Sequence, residues 1–187
     1  MPSSIMSTLI IWNARGIRAR VKSDFLSNEI HNNLASIVDV LEPKKDSLKI
    51  GEYAWRLRVQ VFLLENPTNM HIWLFWKDNV LVDHLSSSEK FLNTKIMVGS
   101  QFFIFSFINA KCDAQVREIL SRNLSSFDLG SLPWLIGGNI NIVARSEEEK
   151  GSGTFPRRAS QDFTSFMAHC RLLDAGFVGD PFTWCNN

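Results

Sequence analysis

Trp134-Leu135-Ile136-Gly137-Gly138-Asn139-Ile140-Asn141 is the segment around which the rest of the chain is organised. Trp134, Leu135 and Ile136 follow Pro133 as a short apolar run, the pattern of a buried strand. Gly137 and Gly138 let the backbone turn and be approached closely, and two asparagines come next. A rigid layer that ends in a loop fixes a polar side chain while leaving it open to a substrate. Gly-Gly-Asn is also good chemistry for a plain tight turn.

Outward from this stretch, other apolar runs end in the same way. Thr8 to Asn13 is β-branched and aromatic until Asn13, and Ala14-Arg15-Gly16 follows. Ile37 to Leu41 is a short apolar run closed by Glu42-Pro43-Lys44, where Pro43 disfavours helix at Glu42. Between them, Leu26, Ile30, Leu34 and Ile37 recur at helical spacing, which predicts an amphipathic helix from Asp24 to Val38 capped by Ser23 or Asp24. The middle of the chain predicts an antiparallel meander: Arg56–Phe62 alternates with period two, Ile72–Trp76, Val80–Leu85 and Lys95–Val98 follow, and Phe102–Ile108 is a central strand. Asn66–Asn69, Lys77–Asn79 and Ser86–Ser88 are the expected turns.

Asp113 is placed to cap a helix with Val116, Ile119, Leu120 and Leu124 on one face. Arg145–Arg158 is charged and reads as an exposed loop. Ser160 then caps a helix with Phe163, Phe166, Met167 and Cys170 on its apolar side, and Pro181–Trp184 reads as a last strand. This order predicts an α/β protein of two packed sheets with helices outside, in a single domain over residues 1–187. With 187 residues, 45% hydrophobic and 21% charged, the chain has enough apolar material for a sizeable core.

Composition excludes several classes. The net charge is +1, so nucleic-acid binding must rest on local patches such as Arg15, Arg18, Arg20 and Lys22 rather than on a global field. Cys112, Cys170 and Cys185 lack the spacing of a disulfide framework or a zinc site. The first twelve residues do not have the pattern of a signal peptide, and no apolar stretch reaches membrane-spanning length. The expectation is an intracellular protein of nucleus or cytoplasm, with no membrane association and no obligate protein partner.

Taken in order, Ile11-Trp12-Asn13-Ala14-Arg15-Gly16, Leu41-Glu42-Pro43-Lys44, Ile72-Trp73-Leu74-Phe75-Trp76, Ala110-Lys111-Cys112-Asp113, Trp134 to Asn141, Arg145 to Lys150 and Pro181 to Asn186 resemble the endonuclease/exonuclease/phosphatase superfamily. More narrowly they resemble the apurinic-type endonuclease domain of plant LINE-type retrotransposons. The resemblance implies a DNase I-like four-layer α/β sandwich and Mg²⁺-dependent hydrolysis of DNA phosphodiester bonds. By motif, Glu42 matches the metal-binding carboxylate and Asn13 the asparagine that helps arrange the metal site. Asn141 matches the asparagine that hydrogen-bonds the scissile phosphate. Arg15, Asn109 and Trp184 fall at substrate-facing positions.

Departures from the pattern accompany the matches. Where the family has Gly-Asp-Phe-Asn, this chain has Gly138-Asn139-Ile140-Asn141, so Asn139 stands where an aspartate polarises the attacking water. Asn109 replaces a tyrosine, and Tyr53 lies elsewhere in the chain. The closing Ser-Asp-His motif would fall beyond Asn187, which gives the expectation of a C-terminally truncated domain with an unpaired edge near Pro181–Trp184. Asp83-His84 belongs to a meander strand and does not replace that motif, and His31, His71 and His169 have no partners at catalytic spacing. The resulting expectation is a degenerate endonuclease-like domain. A non-catalytic nucleic-acid-binding remnant and a small-molecule phosphoesterase are the alternatives.

Overall fold

The computed structural model describes residues 7–17, 20–44, 49–58, 62–65, 71–110, 113–127, 130–148 and 156–179. The chain divides into two compact units, Met1–Ala110 with Asp128–Ile140, and Lys111–Phe127 with Asn141–Asn187.

The first unit holds two four-stranded sheets. β1 (Thr8–Asn13), β2 (Ala35–Leu41), β3 (Phe62–Glu65) and β4 (Ile72–Trp76) form one, in the order β1-β2-β4-β3. β1 and β2 are parallel, and the other pairs are antiparallel. A parallel pair needs a crossover, supplied by α1 (Arg20–Asn32). The second sheet is β5 (Val80–Ser87), β6 (Phe91–Val98), β7 (Gln101–Asn109) and β8 (Trp134–Asn139), in that order. Here β5, β6 and β7 are an antiparallel meander, and β8 runs parallel to β7.

Alternation along the strands sorts side chains into two cores. Val38, Val40, Trp73 and Phe75 pack with Leu26 and Ile30 of α1 and with Tyr53 and Ala54 of α2 (Ile50–Arg56). Ile37, Leu41, Ile72 and Leu74 face the other sheet, where Leu92, Ile96, Phe105 and Phe107 meet them. On the second sheet's other face, Trp134 Nε1 donates to Ser106 Oγ (2.9 Å), Ser106 Oγ to Asn93 Oδ1 (2.7 Å), and Asn93 Nδ2 to Ser86 Oγ (3.0 Å). This chain of bonds satisfies the buried Ser106 and Asn93 and ties all four strands together.

The short connection Lys77–Asn79 fixes the relative direction of the two sheets. Lys77 N donates to Ser36 O (2.9 Å), so β4 ends and β5 begins beside the start of β2. Alternating directions then place the starts of β7 and β8 at that same end. The C-terminal ends of β1, β2, β7 and β8 therefore all open at the opposite end of the sandwich.

One core position contradicts its surroundings. Asp39 sits between Ile37 and Leu41 on the inter-sheet face of β2, opposite Ile11 and Leu74. It is fully buried, and neither carboxyl oxygen has a hydrogen-bond partner. Burial pushes its pKa well above the usual carboxylate range, because the apolar layer penalises the charged form.

The second unit contains α3 (Ala114–Ser125) and α4 (Arg157–His169), which pack on each other. Leu120 and Leu124 of α3 are buried. Ser160 Oγ donates to the carbonyl of Ala144.

Several sequence expectations are corrected. Gly137 and Gly138 do not turn the chain: they lie inside β8, paired with Phe107 and Ile108. β8, the edge strand of its sheet, is only half-covered, with Leu135 exposed. The helix expected from Asp24 to Val38 runs instead from Arg20 to Asn32, and Ile37 and Val38 belong to β2. Leu34 keeps the helical spacing, but its φ of +50° and exposed side chain show that the chain has already left the helix. Arg56 closes α2 rather than opening a strand, and β4 joins the first sheet rather than the meander. Ser86 and Ser87 are strand residues, Ile119 is exposed, and Ser160 lies inside the first turn of α4, after Arg157 and Arg158. Asn66–Asn69 and the strand at Pro181–Trp184, with its unpaired edge, lie outside the described residues.

Candidate functional site

The common strand end gathers four of the residues singled out from the sequence. Asn13 ends β1 and pairs with Leu41, the residue before Glu42. Asn109 ends β7 and pairs with Asn139 at the end of β8. The two sheets touch here through β1 and β8. A Cβ on Gly137 would lie 2.5 Å from Ile11 Cδ1 and 2.9 Å from Phe105 Cζ. The first glycine thus lets β8 settle against β1, with Asn13 and Asn139 each two residues further along. The second admits β7: a Cβ on Gly138 would lie 2.1 Å from the carbonyl oxygen of Ile108, and its φ of +135° is one that side chains rarely adopt.

On the first sheet the strand ends continue as paired loops. Ala14 N donates to Leu41 O (3.0 Å), Gly16 N to Glu42 O (2.8 Å) and Ile17 N to Pro43 O (3.0 Å), while Glu42 N donates to His71 O (2.8 Å). Lys22 Nζ donates to the carbonyls of Ala14 (2.9 Å) and Gly16 (3.0 Å), and the buried Tyr53 hydroxyl to that of Ile17 (3.3 Å). The loops carry left-handed, non-glycine residues: Arg15 (φ +44°), Glu42 (φ +49°) and Lys44 (φ +50°). Such strain persists only where the surroundings over-determine it, and it gathers at functional sites. Lys22 and Tyr53 are supports that the sequence did not reveal, since a basic residue in a helix and a lone tyrosine carry no sign of what they hold.

Among the described residues, the carboxylate at this strand end is that of Glu42. Glu42 is partly covered and forms an ion pair with Lys44 (3.8 Å). Asn13 Oδ1 is buried without a hydrogen-bond partner. Among the described residues, no three His, Cys, Asp or Glu side chains come together as metal ligands. One carboxylate and one unpartnered amide oxygen fit Mg²⁺ only in the sparse manner in which water and substrate phosphate complete the shell, and Lys44 competes for the carboxylate. Asn139 offers an amide, which cannot take a proton at neutral pH.

Asn141, with φ +53°, belongs to the second unit. Arg15 is exposed on the first loop. Trp184 lies outside the described residues. Asp83 and His84 are exposed strand residues of β5, as their sequence context predicts.

Several solved structures share this architecture. An AP endonuclease from Archaeoglobus fulgidus aligns at TM-score 0.67 and 13% identity over 87% of this chain and 70% of its own. The endonuclease domain of TRAS1, a telomere-specific non-LTR retrotransposon, aligns at 0.63 and 12% over 86% and 70%. The AP endonuclease LMAP from Leishmania major aligns at 0.61 and 15% over 86% and 66%. No family model matches the sequence, and no curated protein is similar to it. At these identities the likeness establishes the fold, an α/β sandwich of the DNase I-like kind. Among the described residues no helix is long and apolar enough to cross a membrane.

Proposed function

We propose that this chain is an endonuclease-like domain of LINE-type retrotransposon descent, one domain over its whole length, whose ancestral reaction was Mg²⁺-dependent hydrolysis of DNA phosphodiester bonds and whose catalysis is now impaired. The observation that carries the reading is the convergence of Asn13, Glu42, Asn109 and Asn139 at one strand end, with an amide at the position where a base would stand. The ancestral chemistry needs a divalent cation to neutralise a nonbridging oxygen and the leaving group. Glu42 and Asn13 would hold it. Asn109 would orient the phosphate through its amide group and Arg15 would meet the DNA; the roles of Asn141 toward the phosphate and of Trp184 toward the DNA rest on motif alone. Asn139 can position a water by hydrogen bonding but cannot remove its proton.

A missing general base commonly costs about two to four orders of magnitude in rate. Purified protein should therefore nick plasmid or abasic DNA no faster with Mg²⁺ than a Glu42→Ala variant. Asn139→Asp should raise cleavage above wild type in a manner that Glu42→Ala abolishes. Nicking by the wild-type chain well above Glu42→Ala would refute the impairment.

The pairing of the Glu42 carboxylate with Lys44 favours one second reading, a DNA-binding module without cleavage. Binding that weakens with salt, and is lost on charge reversal of Arg15, Arg18 and Arg20, would separate it from an inert fold.

A further inference from the structure

The same strand end carries a cation that the reading above leaves unused. Lys90 lies in the turn between β5 and β6, where Lys90 N donates to Ser88 Oγ (3.1 Å). The β6–β7 pairing ends at Phe91 and Ile108, and one step beyond it Asn109 N donates to Lys90 O (2.8 Å), so Lys90 stands opposite Asn109. Strand residues alternate between faces. Leu92 and Phe107 belong to the inter-sheet core, which puts Asn109 on that same face, with the backbone of Lys90 beside it. Asn139, paired with Asn109, follows Gly137 by two residues and shares its inward side.

Lys90, Asn109 and Asn139 therefore form one row across three neighbouring segments, at the mouth of the inter-sheet layer. The Lys90 side chain is only 14% exposed, and its ion-pair partner Glu89, at 3.6 Å, is 70% exposed. Such a pair on the rim is screened by water and contributes little. A lysine side chain that is mostly covered, in one row with two uncharged amides that can donate, has the chemistry to receive an oxyanion.

We propose that Lys90, with Asn109 and Asn139, forms a phosphate-binding subsite, and that the phosphate it takes belongs to a nucleic-acid backbone. The second clause rests on the function proposed above; the first does not. Inorganic phosphate titrated into ¹⁵N-labelled protein should shift the amides of residues 88–92, Asn109 and Asn139 saturably. Lys90→Gln should abolish the response, Lys90→Arg should keep it, and Lys95→Gln should leave it unchanged, while each amide spectrum also reports whether the variant is folded. No response around Lys90, or an undiminished one in Lys90→Gln, overturns the subsite. With a single-stranded oligothymidylate in place of phosphate, Lys90→Gln should lower the slope of log affinity against log salt by about 0.7. A phosphate response without oligonucleotide binding would uphold the subsite and sink the nucleic-acid reading.

Discussion

The two sheets bring polar residues to the same end of the sandwich by different physical means. On the first sheet, Asn13 and Glu42 are placed by hydrogen bonds: three backbone bonds between the loops after β1 and β2, two from Lys22 and one from Tyr53. On the second, Asn109 and Asn139 are placed by missing volume, because Gly137 and Gly138 let β8 close on Ile11 and on the backbone of β7. A set of bonds weakens one member at a time. A steric fit against backbone holds or fails as a whole.

The largest effect that this contrast predicts is at Gly138. Alanine there must place a methyl group against the Ile108 carbonyl at a φ of +135°, and neither the backbone oxygen nor the paired strand can move aside. Strain and overlap together should cost at least about 4 kcal/mol, seen as loss of a cooperative urea transition. Gly137→Ala meets only the ends of the Ile11 and Phe105 side chains, which can shift, so roughly 1–3 kcal/mol is expected. Equal costs at the two positions would mean that backbone approach is not what sets the second sheet's strand end.

Next in size is Asp39, which lies behind both strand ends. Its folded-state pKa is raised by burial, so between the ordinary carboxylate range and that raised value the unfolded chain has released a proton that the folded chain retains. Stability from this group is then complete at acid pH, below the unfolded pKa, and declines as pH rises through the window. Asp39→Leu should raise stability at neutral pH by about 1–3 kcal/mol and remove that slope, which urea midpoints across pH 4–8 would reveal. A variant no more stable than wild type, with the slope intact, would show that the carboxyl has found a partner.

How much of this was legible in the sequence depended on whether a feature is local. Apolar runs that stop at Asn13, Glu42 and Asn139 are visible as strand ends, because burial and its termination are written in adjacent residues. That these ends meet is a property of the Lys77–Asn79 connection and of strand direction, which no single run contains. The boundary between α1 and β2 was misplaced because Leu34 keeps the helical spacing while its backbone has already left the helix. α2 was missed because seven residues are too few to show a period beside the alternation that follows Arg56. Asp39 gave no warning: a carboxylate within Ile37–Leu41 looks like one polar step in a strand until the register turns it inward. Lys90 lies in a Ser- and Glu-rich turn, and only its pairing with Asn109 brings it to the site.

The smallest predicted effect distinguishes the two strand ends most directly. Tyr53→Phe removes the hydroxyl that donates to Ile17 O and leaves the ring against Trp73, 5.8 Å between centroids. Losing one buried hydrogen bond should cost about 0.5–1.5 kcal/mol, a shift in urea midpoint with no change in slope. The consequence should also be local, since Ile17 N still donates to Pro43 O but its carbonyl is no longer held. Amide exchange at Gly16 and Ile17 should quicken, while Asn109 and Ala110, bonded to Lys90 O and Asn139 O, should exchange as before. If all four amides loosen together, the two ends open as one cooperative body, and placement by bonds cannot be separated from placement by shape.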